Sequence, residues 1–265
     1  MAKYRVTVDT GGTFSDFVFF NEDTGAITIT KVPSTPKEPF QAVLNGVKEL
    51  IDQGAVAKDI SFFCHGTTVG TNALLEEKGA RTGLLVTQGF RGIYEVMEQT
   101  RGYGPATYDL FFEKPRLLAP PYFTEEIPER VDFRGQALRP IDVEASREAI
   151  RRLKKKGVES VAVCFLFSFL NPDHELKIKE LVAEEFPEAR LSLSFEVLPQ
   201  IREFYRMSTT VINAYIQPVM ASYLNRLESR MRELGVTTPK LYIMQSNGGV
   251  STFAGSANKP VATVL

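Results

Sequence analysis

The chain has 265 residues, of which 43% are hydrophobic and 24% are charged, as is ordinary for a globular protein of one or two domains. Its formal net charge is −1 at pH 7, so it has no strong field that would recruit nucleic acid or an anionic membrane surface. Its longest apolar run, residues 161–170, has about half the length that a bilayer-spanning helix needs.

Two further features bear on the location of the protein. Lys3 and Arg5 are not followed by the apolar core of a signal peptide. Cys64 and Cys164 lie far apart, each within an apolar run, which favours free thiols in a reducing compartment over a disulfide framework. We therefore expect a cytoplasmic protein with no nucleic-acid or membrane partner.

The first thirty residues predict three consecutive antiparallel strands joined by two tight turns, in the stretches YRVTVD, TFSDFVFFN and AITITKV. A helix follows, because apolar residues recur at helical spacing up to Gly54. Ser34 or Thr35 is expected to cap this helix, with Pro36 in its first turn.

The next segments alternate between strands and helices. SFFCHG predicts a strand that runs into a helix ending at Gly79, and Thr67 or Thr68 could cap that helix. GLLVT predicts the strand after it. Residues 88–140, rich in proline and aromatic residues, are expected to form an ordered excursion rather than a flexible linker.

The second half of the chain continues this alternation. Asp142 is predicted to cap a helix that ends at Gly157, and buried strands are predicted in VESVAVCFLF and ARLSLSFEV. The helix between these strands is expected to bury Leu176, Leu181, Val182 and Phe186. Residues 200–234 predict a long helix that Pro218 kinks or splits, and KLYIMQSNGGV predicts a last strand and a glycine turn. Together the segments predict an α/β fold with a mixed sheet.

The stretch TVDTGGTFSD, residues 7–16, has the composition of a phosphate-binding turn. Gly11 and Gly12 allow backbone N–H groups to approach a phosphate closely, and Thr10 and Thr13 could add hydroxyl donors. An ordinary β-hairpin whose turn needs glycine accounts for these residues equally well.

Two carboxylates flank this turn. Asp9, at the end of the strand, could hold Mg²⁺ or position an attacking group, and Asp16 could support the turn or the metal. The two commoner nucleotide signatures, G-x-x-x-x-G-K-[ST] and G-x-G-x-x-G between a strand and a helix, are absent from the sequence. From these residues alone, a hairpin and a phosphate site both stay open.

The stretch CHGTTVGTNALLEEKGA, residues 64–80, collects polar groups where a predicted strand ends. Gly66, Thr67 and Thr68 would form a helix start whose free N–H groups favour an anion. His65 could contact a substrate carbonyl or act as an acid or base. The alternative is a satisfied strand-end histidine beside a threonine cap.

A third stretch, QSNGGV at residues 245–250, also follows a predicted strand. Ser246, Asn247, Gly248 and Gly249 would lie at the carboxyl edge of the sheet, where α/β proteins bind ligands. A plain turn is the alternative here.

A metal site could also be drawn from Cys64, His65, Cys164 and His174. However, Cys64 and His65 are adjacent, and adjacent residues of a strand point to opposite faces. We therefore favour buried cysteines and an exposed His174 at the start of a helix.

In combination, several motifs resemble the hydantoinase A / 5-oxoprolinase family, which includes the ATP-binding subunits of acetophenone-carboxylase-like enzymes. The motifs run in order along nearly the whole chain and are VDTGGTFSDFV, HGTTVGTNALLEEKGARTGLLVTQGFRG, YDLFFEKPRLL, ERVD-RG and LYIMQSNGGV. The resemblance implies an actin-like, ribonuclease-H-like ATPase fold with a mixed sheet, of which this chain would be the N-terminal half and the start of a second domain. It also implies that the enzyme uses ATP with Mg²⁺ (or Mn²⁺) to phosphorylate an amide, ketone or carboxylate oxygen of its substrate. The activated substrate would then be hydrolysed or carboxylated.

The resemblance assigns roles to three groups of residues. Asp9 matches the phosphate hairpin, in which it would be both the metal ligand and a catalytic residue. The same hairpin is matched by Thr10, Gly11, Gly12, Thr13 and Asp16. The HGTT segment facing the reacting end is matched by the catalytic His65 and by Gly66, Thr67 and Thr68. A loop near an interdomain cleft is matched by Ser246, Asn247, Gly248 and Gly249.

The resemblance also implies a domain plan and partners. Residues 1–195 would form the N-terminal hydantoinase/oxoprolinase-type domain, and residues 196–265 the truncated start of the ATPase domain. The segment MEQTRGYGPATYDL departs from the expected hydantoinase pattern and favours the ketone-carboxylase branch. Expected partners are other subunits of a hetero-oligomer and a small amide or ketone substrate. A sugar or acetate kinase and a non-catalytic subunit or fragment are the alternatives.

Overall fold

The computed structural model describes residues 3–35, 38–97, 108–111, 113 and 115–264. The chain divides into two compact units. The first unit comprises Met1–Gly79 and Ile216–Leu265, and the second unit comprises Ala80–Tyr215. The predicted boundary at residue 195 falls within the second unit, so that division stays a prediction about sequence regions.

The elements are numbered here in chain order. The strands are β1 (Tyr4–Thr10), β2 (Phe14–Asn21), β3 (Ile27–Pro33), β4 (Ile60–Thr67), β5 (Thr82–Thr87), β6 (Thr124–Ile127), β7 (Arg130–Val131), β8 (Ala137–Arg139), β9 (Ser160–Cys164), β10 (Arg190–Leu193), β11 (Leu241–Met244) and β12 (Val250–Thr252). The α-helices are α1 (Pro39–Asp52), α2 (Val69–Leu75), α3 (Gly92–Val96), α4 (Val143–Lys155), α5 (Asp173–Glu185), α6 (Ser194–Val197), α7 (Glu203–Glu233) and α8 (Phe253–Asn258). Among the described residues, none of these helices has the length and apolar composition needed to cross a membrane.

The first unit is built on a mixed sheet with the strand order β12-β11-β4-β1-β2-β3. Strands β1, β2 and β3 are antiparallel neighbours, which confirms the predicted start of the chain. Strands β1, β4 and β11 run parallel to one another. One face of the sheet is apolar, with Val6, Val8 and Phe17 fully buried, and it packs with residues of α1 and α7.

The second unit contains a parallel sheet with the order β10-β9-β5-β6, and β7 pairs with β8 in a separate hairpin. Asp142 caps α4 as predicted, since its Oδ1 accepts a hydrogen bond from the Ala145 amide at 3.0 Å. The predicted excursion at residues 88–140 lies partly outside the described residues, as does most of the MEQTRGYGPATYDL segment.

Two predicted element ends are wrong, each for a local reason, and one predicted helix break is absent. Helix α1 begins at Pro39, because Thr35 Oγ1 accepts a hydrogen bond from the Ala42 amide and donates to the Glu38 carbonyl. Helix α2 ends at Leu75 rather than Gly79, since Glu77 adopts a left-handed φ of 54°. Helix α7 continues through Pro218, so the predicted split is wrong, while a kink at this residue stays a prediction.

The strands predicted in VESVAVCFLF and ARLSLSFEV both end early, at Cys164 and Leu193. The cause is the buried carboxylate of Glu175, which accepts hydrogen bonds from the Phe165 amide at 3.0 Å and the Ser194 hydroxyl at 2.6 Å. These bonds replace strand pairing, so that a turn follows β9 and helix α6 follows β10.

The buried face of α5 also differs from the prediction. Leu181, Val182 and Phe186 are buried as expected, but Leu176 is 39% exposed. His174, expected at the surface, is only 9% exposed, and its Nδ1 lies 2.7 Å from Glu129 Oε2. Periodicity of apolar residues does not detect such polar pairs, because they replace apolar side chains in the core.

Gly46 in α1 provides a test of this packing. A Cβ atom at Gly46 would lie 2.2–2.5 Å from the Phe17 ring. We expect Gly46→Ala to lower the free energy of unfolding by roughly 1–3 kcal/mol, despite the better helix propensity of alanine. Urea unfolding followed by circular dichroism measures this change. Gly92→Ala is the control, since a Cβ at that helical glycine meets nothing closer than 4.0 Å. Equal stability of the two variants would contradict the packing described.

Candidate functional site

The ends of three parallel strands meet at one edge of the first-unit sheet. Strand β4 lies between β1 and β11, so residues 9–13, 65–68 and 245–249 follow neighbouring strands at their carboxyl ends. At the usual strand spacing the outer two chain segments are about 10 Å apart. We call these residues the strand-end edge. The three polar motifs of the sequence therefore lie at one place in the fold.

The hairpin turn between β1 and β2 directs its amides outward. The carbonyls of Gly11 and Thr13 accept hydrogen bonds from Ser34, through its hydroxyl at 2.8 Å and its amide at 2.9 Å. Within the part of the chain that the structure describes, the amides of Gly12 and Thr13 have no acceptor, and both residues are exposed. Two adjacent free N–H groups of this kind are suited to an anion.

Beneath this turn lies a small cluster of hydroxyl groups. The buried Ser15 donates to Thr10 Oγ1 at 3.1 Å, and its hydroxyl lies 3.3 Å from that of Ser34. Thr10 is 5% exposed, so its hydroxyl, predicted as a phosphate donor, lies inside the hairpin and supports it. Ser15 and Ser34 were not predicted, although the alternation of β2 places Ser15 on the buried face.

Asp9 faces away from the core, opposite Gly66 of β4 and Asp16 of β2 in the strand register. A Cβ atom at Gly66 would lie only 2.8 Å from Asp9 Oδ1, so the missing side chain makes room for this carboxylate. Asp16 lies 3.1 Å from Lys31 Nζ, which offsets its charge. Asp9 is thus the exposed carboxylate at the centre of the strand-end edge.

His65 lies on the opposite face of the sheet and is fully buried. Its Nε2 is 2.6 Å from the Tyr223 hydroxyl. Burial lowers the pKa of His65 to about 4, and a weaker interaction with the Val8 backbone opposes this shift. The imidazole is therefore uncharged at neutral pH and does not reach solvent. This position agrees with the alternative of a structural strand-end histidine, although its buried Nδ1 has no hydrogen-bond partner among the described residues, and it gives no support to a direct acid or base role.

The segment after His65 leads into α2. Thr67 Oγ1 accepts a hydrogen bond from the Val69 amide at 3.3 Å, so Thr67 stabilises the helix start. Thr68 is the N-cap residue but makes no side-chain capping bond, and it is exposed. Thr68 and the Gly66 backbone are the parts of the HGTT segment nearest to solvent and to Asp9.

The loop at residues 245–249 is a closed turn. The Gly248 amide donates to the Gln245 carbonyl at 3.0 Å, and Gly248 has a φ of 83° that favours glycine. The hydroxyl and amide of Ser246 both donate to the Ala262 carbonyl, at 3.1 and 3.0 Å. The predicted ligand group of Ser246 is thus used within the fold, and Asn247 is exposed with its Oδ1 accepting a hydrogen bond from the Gly249 amide at 2.9 Å.

No group of three or more His, Cys, Asp or Glu side chains that could hold a metal ion occurs among the described residues. A Mg²⁺ ion commonly takes one or two carboxylates together with phosphate oxygens and water. The exposed Asp9 carboxylate, at the end of the strand that leads into the turn with the free amides, fits this requirement.

The burial of His65 leads to a pH-dependent stability. Between its folded pKa of about 4 and its ordinary value of 6.5, the unfolded chain binds a proton that the folded chain does not. Lowering the pH through this window should therefore reduce the free energy of unfolding, by roughly 3 kcal/mol at most from this residue. Urea unfolding at several pH values should show a smaller loss in His65→Gln. An identical pH dependence in both proteins would contradict the burial of a neutral His65.

Comparison with known proteins identifies the family. The hydantoinase/oxoprolinase N-terminal region matches residues 5–186, and the hydantoinase/oxoprolinase family matches residues 206–265. The caprolactamase subunit alpha of Pseudomonas jessenii is 35% identical over 254 residues, which cover 94% of this chain and 36% of that protein. The acetophenone carboxylase gamma subunit of Aromatoleum aromaticum is 30% identical over 280 residues, covering 98% of this chain and 38% of that protein.

Two solved structures are similar in fold. The ATP-dependent caprolactamase from Pseudomonas jessenii has a TM-score of 0.87 at 33% identity, covering 98% of this chain and 38% of that chain. A nucleotide-free acetone carboxylase has a TM-score of 0.85 at 22% identity, and the match covers 99% of this chain and 39% of that chain. This chain spans less than two-fifths of each of these proteins. Its mixed α/β fold is consistent with the expected actin-like, ribonuclease-H-like ATPase class, and the chain belongs to the hydantoinase/oxoprolinase family.

Proposed function

We propose that this chain supplies the phosphate- and metal-binding edge of an enzyme that uses ATP to activate the carbonyl oxygen of a small amide or ketone. The observation that carries this proposal is the exposed Asp9 carboxylate, which fits against the bare Cα of Gly66 at the end of the strand that leads into the turn with the free amides of Gly12 and Thr13. The names of the relatives support it, since they describe an ATP-dependent caprolactamase and carboxylases of acetophenone and acetone.

Asp9 would hold the divalent cation, Mg²⁺ or Mn²⁺, in this arrangement. Its carboxylate is exposed, and a side chain at position 66 would displace it. Asp16 is paired with Lys31, so it would serve the turn more than the metal. Mg²⁺ usually retains water and binds through few protein carboxylates, so one aspartate is sufficient for this role.

The hairpin amides would bind phosphate oxygens. The N–H groups of Gly12 and Thr13 have no acceptor among the described residues, and Ser34 holds the turn through the carbonyls of Gly11 and Thr13. Because these groups are fixed before any ligand arrives, they need little reorganisation to stabilise negative charge. When bound, Mg-ATP supplies the phosphoryl group that makes a carbonyl oxygen a better leaving group.

Thr68, directly after β4, and Asn247, in the loop after β11, would complete the edge. Both are exposed, and the two strands are parallel neighbours. We also infer that the complete enzyme is a hetero-oligomer, since the matched relatives are named as alpha and gamma subunits. The substrate would be a small amide, for hydrolysis, or a ketone, for carboxylation.

Asp9→Asn tests the proposal. In the complete assembly, loss of the cation ligand should reduce substrate-dependent ADP formation by at least ~100-fold, since catalytic charge stabilisation depends on it. Gly66→Ala should cause a similar loss, because its Cβ would displace the Asp9 carboxylate. Assays with hydantoins, 5-oxoproline, and an aromatic ketone with bicarbonate measure this effect and identify the substrate class.

Asp23→Asn is the matched control. Asp23 is exposed in the turn between β2 and β3, at the opposite end of the strands, so this variant should retain wild-type turnover. Unchanged turnover in Asp9→Asn would refute the assignment of Asp9.

A further inference from the structure

Tyr223 of α7 contacts His65 and lies near Thr67, the two residues that flank Gly66. Its side chain is 6% exposed, and its hydroxyl lies 2.6 Å from His65 Nε2. Burial raises the pKa of the Tyr223 hydroxyl, and the Thr67 side chain partly offsets this shift. Thr67 Oγ1 accepts a hydrogen bond from the Val69 amide. The Tyr223 hydroxyl is therefore at the centre of a polar chain that begins at α2 and ends at His65.

Strand alternation explains why one tyrosine reaches two residues of β4. The register pairs His65 with Val8, Gly66 with Asp9 and Thr67 with Thr10. Val8 and Thr10 are buried on the face that packs against α7, so His65 and Thr67 share this face. Gly66 lies between them on the other face, against Asp9.

The polar chain has one consistent direction. The Val69 N–H donates to Thr67 Oγ1, which leaves the Thr67 hydroxyl proton for Tyr223. The Tyr223 hydroxyl proton is then available for His65 Nε2, which is an acceptor when the other ring nitrogen carries the proton. A hydroxyl that both accepts and donates strengthens its own hydrogen bonds.

We propose that Tyr223 is a positioning residue that, through His65 and Thr67, holds the Gly66 backbone against the Asp9 carboxylate and so fixes this carboxylate for the cation. His65 then acts through Tyr223 and not on the substrate. The role of the cation rests on the proposed function, whereas the polar chain and its effect on Gly66 do not.

Tyr223→Phe tests the proposal in the 265-residue chain, because it removes only the hydroxyl. The probe is Mn-ATP, with bound Mn²⁺ detected by electron paramagnetic resonance. We expect the affinity to fall about tenfold, as is typical when a partner that orients a metal ligand is lost. The control is Tyr215→Phe, which removes a hydroxyl from another buried tyrosine of α7 outside the polar chain and should retain wild-type affinity.

A second readout does not depend on the nucleotide. The sequence contains two histidines, His65 and His174, so the ring nitrogens of His65 can be followed by ¹⁵N NMR. The wild-type chain should show a proton on Nδ1 of His65. Tyr223→Phe should change the balance between the two His65 tautomers and shift the NMR signals of the Gly66 amide and the Asp9 carboxyl carbon. A purely structural tyrosine would leave these three signals unchanged.

Each outcome decides the proposal. An unchanged Mn-ATP affinity, or unchanged Gly66 and Asp9 signals, in Tyr223→Phe would overturn it. If the wild-type chain does not bind Mn-ATP, the proposed function fails in this chain, and the NMR signals alone decide the positioning role. If Tyr223→Phe does not fold, Thr67→Val replaces it, because this variant also interrupts the polar chain. A higher Mn-ATP affinity in Thr67→Ser than in Thr67→Val would then support the proposal, and equal affinities would overturn it.

Discussion

The close approach of β1 and β4 at their carboxyl ends is the constraint on which the rest of the site depends. Asp9 lies opposite Gly66, and a Cβ there would come within 2.8 Å of the carboxylate. Because glycine has no Cβ, only glycine at position 66 allows the two parallel strands to pair in this register without displacing the Asp9 carboxylate. The position of Asp9 in turn determines where a cation, and the phosphates that bind it, would lie.

The surrounding polar groups divide into those that build the edge and those left for a ligand. Ser15, Ser34 and Ser246 direct their hydroxyls to partners within the fold, and His65 is buried against Tyr223. The amides of the hairpin turn and the Asp9 carboxylate remain exposed. An edge whose supporting hydroxyls are bonded within the fold is pre-organised, which favours binding of a charged ligand at little entropic cost.

Local patterns allowed the sequence to predict much of this fold, including the antiparallel start, the mixed sheet and the three motifs at strand ends. Contacts between distant residues could not be predicted in this way. The partners His65 and Tyr223 are 158 positions apart, and the buried Glu175 that ends two strands breaks no apolar periodicity. The inward hydroxyl of Thr10 and the steric role of Gly66 depend on register, which only the folded sheet reveals.

The central claim is that this edge of the sheet receives the phosphates of a metal-bound nucleotide. The most direct measurement is an NMR titration of the isotopically labelled 265-residue chain with Mg-ATP, compared with ATP in the presence of a chelator. The account predicts magnesium-dependent shifts of the amides of residues 11–13 and 66–68, with smaller shifts at residues 245–249. Shifts centred on the opposite end of the sheet, at residues 21–26, or no shifts at saturating Mg-ATP, would contradict it.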